Sequence, residues 1–327
     1  MHATLLDFSK SSSMRSKIVT ILLITFAFAT QVFAEPFWNG SPFDWDTAEK
    51  KYDGVFAMQS FVVSEPRPIR LYAVRLELSK IGIVQTPKAD GWGRAMPDHP
   101  HKFRVIQTRR ETTRAFVESL IKKSDGKQKF IFACNTSPWS PFTSKKDHKY
   151  AWFSGMVVSN SELVARGNDS ADTYPLFYLD KMGNYGIKVP HKYEHLSLYK
   201  EAIFAFGTLL RAGKTFDEMP FESHFVRHTS HTKKTNPLIA IGFDKQKKYL
   251  YIVGVEGRMP TYSEGMFGQE LARAIRYFGA YDAVLMDGGG STTMLVVDSQ
   301  NKITRLNKHR GDDIERKVAL NLAFYLK

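Results

Sequence analysis

Asp282-Ala283-Val284-Leu285-Met286-Asp287-Gly288-Gly289-Gly290-Ser291-Thr292-Thr293-Met294 is the stretch that organises the chain. Ala283 to Met286 is a fully apolar run of strand length, which reads as a buried strand. Three consecutive glycines follow Asp287 at its end. Each glycine costs backbone entropy and brings no side chain, so the run needs a reason. One reading is that backbone N–H groups approach an anionic or sugar oxygen closely. The other is a tight turn or bulge. A dinucleotide loop and a P-loop are excluded: the spacing differs, no Lys follows, and the next segment reads as a strand.

The same reading extends outward. Leu238 to Phe243 and Tyr249 to Val255 are strands joined by the polar turn Asp244 to Lys248. Gly268 to Phe278 is an amphipathic helix with Leu271, Ile275 and Phe278 facing inward and Gly279 as its stop. Thr293 to Val297 and Ile303 to Leu306 form a hairpin, and Val318, Leu320, Leu322 and Phe324 alternate in a last strand. Leu71 to Leu78 alternates as a half-buried strand. Thr112 or Thr113 caps a helix through Phe116, Val117, Leu120 and Ile121 that Gly126 closes. Phe130 to Ala133 is a short apolar strand leading to Asn135. Ala151 to Val158, Leu176 to Leu179 and Ile187 to Val189 are further strands. Many hairpins and few helices define the α+β class, with largely antiparallel or mixed β-sheets and a few flanking helices.

The 327 residues hold 43% hydrophobic and 13% aromatic side chains, enough for a substantial core and unlike a disordered or collagenous chain. Cys134 is the single cysteine, which excludes an internal disulfide framework and a multi-cysteine metal cluster. It is expected to be a buried small hydrophobe. Met14-Arg15-Ser16-Lys17, the apolar run Ile18 to Ala29 and Val32-Phe33-Ala34 have the layout of a secretory signal peptide cut before Glu35. The organisation read from this is a signal peptide over 1–34, an ordered leader rich in Trp, Phe and Pro over 35–70, and one domain over 71–327. The product is then secreted or periplasmic, with no stable membrane span after cleavage. Loss of Lys10, Arg15 and Lys17 against Asp7 lowers the formal charge from +13 to +11. A basic exported protein is drawn to phosphorylated or anionic glycans, such as cell-wall phosphates and acidic polysaccharide, or to lipid head groups. The basic residues are dispersed, and with export this argues against nucleic acid. His224, His228 and His231 have spacings of four and three that suit metal ligation on a helix, but Thr229, Ser230 and Thr232 weaken that helix, and no metal is expected. The sequence names no cofactor and no oligomeric state.

The Asp282 to Met294 stretch closely resembles the signature of the phosphodiester glycosidase family. Val255-Glu256-Gly257-Arg258 resembles the family's Asp-Gly-Arg at a strand end. Ser263, Gly265 and the helix through Phe278 resemble its Ser-Gly turn and following helix. Thr112-Thr113 with Phe116, Ala133-Cys134-Asn135 and Gly207 to Lys214 resemble earlier elements. The resemblance runs from about Leu71 to the C-terminus and is strongest from Pro237 onward. The chain departs from the family's Pro-Arg-Thr at Pro237-Leu238-Ile239, has Glu256 where Asp is commoner, and carries Thr136-Ser137-Pro138-Trp139 after Asn135.

The resemblance implies a phosphodiester-glycosidase-like domain that cleaves a sugar from an anomeric phosphodiester with water. Cationic charge develops on the sugar ring while a phosphate anion departs. Such chemistry wants a carboxylate near the anomeric carbon and positive or N–H donors near the phosphate. Asp287 and Glu256 are the catalytic candidates, since both close apolar strands and open into Gly. Arg258 can fork onto phosphate oxygens. Gly288, Gly289 and Gly290 can supply N–H donors, Ser291 and Thr292 hydroxyls. Asn135 can bind a sugar hydroxyl or orient a carboxylate. The expected function is an exported hydrolase of glycosyl-phosphate linkages in an envelope or extracellular glycan. The alternatives are a non-catalytic glycan-binding or envelope protein on the same fold, and a glycosidase cleaving sugar–sugar bonds.

Overall fold

The computed structural model describes residues 30–33, 36–97, 104–141, 148–167, 174–190, 196–220, 233–311 and 314–327. Its architecture is α+β, with mostly antiparallel sheets and, among the described residues, two α-helices, Thr113–Ser124 and Gly268–Tyr277. A nine-stranded sheet has at its centre Phe56–Val63, Ile69–Glu77, Tyr249–Val255, Leu238–Phe243, Asp282–Leu285 and Gly207–Arg211, in that spatial order. A five-stranded sheet runs Ile303–Arg305, Met294–Val297, Lys129–Asn135, Asn321–Leu326, Ile81–Gln85. Another five-stranded sheet is built around Tyr199–Phe204 and Leu176–Asp180. The pairings are antiparallel except that Thr30–Phe33 runs parallel to Ser60–Val63.

The burial pattern explains why the central strands read as unbroken apolar runs. In Leu238–Phe243, Leu238 and Ala240 pack toward the second helix, and Ile239, Ile241 and Phe243 pack toward the other sheets. Both faces are covered, so no polar alternation is left. The second helix lays Leu271, Ala274, Ile275 and Phe278 on the outer face of the nine-stranded sheet. The first lays Phe116 and Val117 on Phe130, Ala133, Leu295 and Ala323 of the five-stranded sheet. The result is a sandwich of sheets with one helix on each outside. Thr112 caps the first helix, its hydroxyl accepting from the Ala115 N–H at 3.0 Å, and Asp125 with Gly126 turn out of it in the left-handed region.

The aromatic leader is part of this body. Phe37, Trp38 and Trp45 are buried beside Phe61 and Phe278, and the Trp45 indole donates to the Phe278 carbonyl at 2.8 Å. Phe56–Val63 pairs along its whole length with Ile69–Glu77, so the chain before and after residue 70 shares one sheet. Gln59 and Ser60 stand side by side in mid-strand and both faces are buried, so Phe56–Val63 carries no period-2 signal. Ala151 to Val158 is two short strands, Tyr150–Ala151 and Val157–Ser159, where one was expected, because the intervening segment turns beneath Phe204. Cys134 is fully buried in the central core, and burial pushes its thiol pKa up. His224, His228 and His231 lie outside the described residues.

Candidate active site

The glycine run is where the chain passes from one sheet of the sandwich to the other. Asp282–Leu285 belongs to the nine-stranded sheet and Met294–Val297 to the five-stranded sheet. The crossover is stitched to both. The Met286 N–H donates to the Ile239 carbonyl at 2.9 Å, and the Asp287 N–H to the Thr136 carbonyl at 2.6 Å. Asn135 holds the two ends of the loop together. Its amide donates to the Asp287 carbonyl at 2.8 Å, and its oxygen accepts from the Thr293 N–H at 2.9 Å. Asn135 is buried. Its contacts are with the backbone at Asp287 and Thr293, not with a carboxylate, and it lines neither of the two cavities beside the glycine run.

This anchoring places Asp287 in a cavity of about 420 Å³. Trp139, Tyr174, Phe204 and Phe206 form an aromatic wall, and Asp287, Asn236, Arg258 and Arg316 bring the polar groups. Tyr174 meets Phe204 edge to face at 5.4 Å, and the Arg110 guanidinium lies 4.2 Å over the Trp139 ring, which fixes the wall. Burial pushes the Asp287 carboxyl up to about 7, against the opposing pull of Ser291, Arg316, the Gly288 N–H and Arg258. Desolvation wins over two nearby cations. Asp287 is the one acidic side chain among the described residues that line this cavity.

The glycines serve a purpose that backbone spacing alone does not show. The Gly289 N–H donates to the Pro237 carbonyl at 2.7 Å and is not free for a ligand. What the run supplies is room. A Cβ on Gly289 would lie 2.9 Å from the Arg258 guanidinium, and one on Gly290 would overlap the Arg316 guanidinium. A Cβ on Gly288 would lie 2.6 Å from the Pro237 carbonyl oxygen. Both arginines thus rest on bare backbone beside Asp287, and Gly289 also needs its φ of +62°. Of the three expected N–H donors, Gly289 is engaged by Pro237 and Gly288 by the Asp287 carboxylate, and the run also serves as a platform for two cations.

Arg258 reaches the cavity from a strained position. Its φ is +61°, in the left-handed region that costs a side-chain-bearing residue about 1–2 kcal/mol. The turn around it is held by the Ser263 hydroxyl, which donates to the Glu256 carbonyl at 2.8 Å, and by the Met259 to Ser263 bridge. Its Nε and Nη2 both donate to the Asn236 amide oxygen, at 3.1 and 2.9 Å. Burial, Arg316 and Arg310 disfavour its charge, and Asp287 favours it. Strain of this kind gathers at functional positions.

Glu256 does not join Asp287. It is fully buried and is not among the described residues lining this cavity; its Oε1 accepts from the Lys308 N–H at 2.7 Å and from the Tyr72 hydroxyl at 3.4 Å. Burial raises its pKa, offset by the Lys308 N–H, Tyr262, Arg70 and Tyr72. It fastens the segment that carries Lys308 and Arg316 to the end of Tyr249–Val255, a positioning task. The expected catalytic role for Glu256 is corrected accordingly, because its carboxylate turns into the core just before the strained turn brings Arg258 out. Ser291 is fully buried near the Asp287 carboxyl, and its hydroxyl makes no hydrogen bond of ordinary geometry. Thr292 is also buried with its hydroxyl unpartnered, but lines a smaller adjoining chamber.

Arg316, Asn236, Tyr174 and Phe206 were not singled out by the sequence. Arg316 lies in a mixed charge run that looks like any solvated surface. Leu238, which stands where the family has Arg, is fully buried with its side chain beneath Gly288. Trp139, the last residue of the departing stretch after Asn135, lines the cavity.

The phosphodiester glycosidase family model matches residues 129–325. The chain belongs to that family, a class of hydrolases that act on glycosyl phosphodiesters. The catalytic domain of zebrafish N-acetylglucosamine-1-phosphodiester alpha-N-acetylglucosaminidase, auto-inhibited by its pro-peptide, is similar in structure. The TM-score is 0.55 at 17% identity, over 84% of this chain and 86% of that one. A hypothetical protein from Synechocystis is similar with a TM-score of 0.50 at 10% identity, over 83% of this chain and 62% of that one. At these identities the two likenesses concern the fold alone. No curated protein sequence matches the chain. None of the described helices is long and apolar enough to cross a membrane.

Proposed function

We propose that this protein is an exported hydrolase that releases a sugar from an anomeric phosphodiester of an envelope or extracellular glycan. The observation that carries this reading is the convergence of Arg258 and Arg316, seated over Gly289 and Gly290, in the same cavity as Asp287. Two guanidiniums facing one cavity suit a phosphate, which they can bind through forked, charge-assisted hydrogen bonds. The aromatic wall suits the apolar face of a sugar ring.

In this scheme the sugar lies against Trp139 and Tyr174 with its phosphate on the arginines. The bond from the anomeric carbon to the phosphate oxygen breaks, and its electron pair leaves with the phosphate. A water oxygen bonds to the anomeric carbon. Its proton passes to the Asp287 carboxylate and then to solvent. The ionised Asp287 also stabilises the positive charge that builds on the ring. The departing phosphate is a stable anion that needs no proton, so one carboxylate suffices. A sugar–sugar glycosidase uses two carboxyl groups about 5–10 Å apart. With Glu256 withdrawn into the core, the described lining of the cavity offers only Asp287, which disfavours that alternative.

The test is a substrate panel pairing p-nitrophenyl glycosyl phosphodiesters with the matching neutral glycosides. Release of free sugar from the phosphodiesters alone is expected. Cleavage of neutral glycosides at equal rates would sink the phosphate assignment, and binding without any turnover would favour a glycan-binding role.

A further inference from the structure

A second chamber of about 250 Å³ adjoins the first. The two share Arg258, Gly289, Gly290 and Arg316 as a common wall. Their chemistry differs. The larger has the aromatic side chains and Asp287. The smaller adds Lys308, His309, Arg310 and Thr292, and no acidic side chain is among its described lining residues. We infer that this chamber receives a second phosphate on the leaving-group side, so that the substrate carries one phosphate on the anomeric carbon and another further along the aglycone. The inference rests on the glycosyl-phosphodiester reading for its orientation.

Charge gives the first argument. A single phosphodiester carries one negative charge, and Arg258 with Arg316 already meets it. Lys308 and Arg310 add positive charge that the scissile phosphate does not need. Arg310 and Arg316 both act against the charge on Arg258, so the cluster repels itself when empty. A second anion relieves that repulsion. Size gives the second argument. The chamber is smaller than an ordinary ligand pocket of about 300–1,000 Å³, and suits one compact polar group. An orphaned donor gives the third. Thr292 is 1% exposed, and its hydroxyl has no hydrogen-bond partner, a costly state unless a ligand oxygen completes it.

The segment that carries these cations is built to stay in place. The Lys308 N–H is tied to Glu256, and the His309 ring lies between the Thr292 carbonyl at 2.6 Å and the Ile314 carbonyl at 2.9 Å. The Lys308 ammonium sits 4.9 Å over the Tyr262 ring. Two sources share the required chemistry: a pyrophosphate, as in a nucleoside diphosphate sugar, and a chain of repeating glycosyl phosphates.

Binding is tested first, without turnover. Calorimetric titration of the full chain should show inorganic pyrophosphate binding at least tenfold tighter than orthophosphate. In Lys308→Gln/Arg310→Gln, which changes two exposed side chains, that preference should fall about tenfold. Thr292→Val keeps the shape, removes the orphaned hydroxyl, should fold at least as well, and should also weaken pyrophosphate more than orthophosphate. Equal binding of the two anions by the unaltered protein, or a preference untouched by both variants, overturns the inference. Kinetics then separate the sources. The ratio of kcat/KM for a nucleoside diphosphate sugar, or for a glycosyl phosphate dimer, over that for a singly charged p-nitrophenyl glycosyl phosphodiester should exceed ten for one of them. It should drop in the double variant. A ratio near one for both overturns the inference. If pyrophosphate discrimination persists while no glycosyl phosphodiester is turned over, the second phosphate site stands and the hydrolase reading fails.

Discussion

Replacing Asp287 with Asn should make the protein both more stable and nearly inactive. Burial lifts this carboxyl from an ordinary 3.8 to about 7. A carboxylic acid with a raised folded-state pKa holds its proton more tightly when folded, so the penalty for ionising it is absent well below its ordinary pKa of 3.8 and still small at pH 4. It builds as the pH rises and is fully present above about 7. The full rise corresponds to about 4 kcal/mol against the ionised group. Local relaxation reduces this, so a stabilisation of about 1–3 kcal/mol at pH 8 is expected. For a chain of this size that is a gain of a few degrees in melting temperature, roughly 2–4 °C per kcal/mol. Thermal melts of both proteins at pH 4 and pH 8 measure it: the gap should be present at pH 8 and small at pH 4. Turnover of a glycosyl phosphodiester should fall by about a hundredfold or more, since charge stabilisation in a shielded site is worth several kcal/mol. Wild-type kcat/KM should rise with pH toward about 7 as Asp287 ionises. An Asn variant no more stable than wild type at pH 8 would refute the burial argument. Retained turnover would refute the catalytic assignment.

The glycine platform makes a separate demand. Gly290→Ala puts a methyl group where the Arg316 guanidinium lies, the far end of a flexible side chain, so the protein should fold with a small loss of stability. Its kcat/KM on phosphodiesters should drop about tenfold or more, because a displaced cation no longer meets the phosphate. A fully active Gly290→Ala would reduce the run to a turn. Arg258→Lys keeps the charge and loses the fork that Asn236 orients, so charged substrates should suffer far more than neutral analogues. Equal losses on both would make Arg258 structural. N-terminal sequencing of exported protein should begin near Glu35, and an intact Ile18 to Ala29 run in the exported product would remove the signal-peptide reading.

Much of this fold is legible in the chain, for reasons that differ by element. Leu238–Phe243, Tyr249–Val255 and Asp282–Leu285 announce themselves because both their faces are buried and turn residues bound them. The helices carry a cap at Thr112 and stops at Gly126 and Gly279. Phe56–Val63 is bounded by Asp53-Gly54 and Pro66, but its adjacent Gln59 and Ser60 break any alternation, so its place in the main sheet does not show in the hydrophobic period. In the site, Asp287 and Arg258 stand out because each follows an apolar strand and borders glycine. The same rule misleads at Glu256, since a strand end does not say which way the side chain turns. Arg316 joins the site only through tertiary packing: the Glu256 and His309 contacts bring its segment to the glycine run, and no local pattern encodes that distance. The glycines were legible as a place of close approach, but what approaches is the chain's own arginines.

The central claim is that water attacks the sugar and the phosphate departs with its oxygen. Turnover of a glycosyl phosphodiester in ¹⁸O-enriched water, with both products analysed by mass spectrometry, tests it most directly. Label on the anomeric hydroxyl of the released sugar, with none in the phosphomonoester, is the outcome expected from Asp287 facing the ring and Arg258 with Arg316 holding the phosphate. Label in the phosphomonoester would mean attack at phosphorus, and would contradict this account.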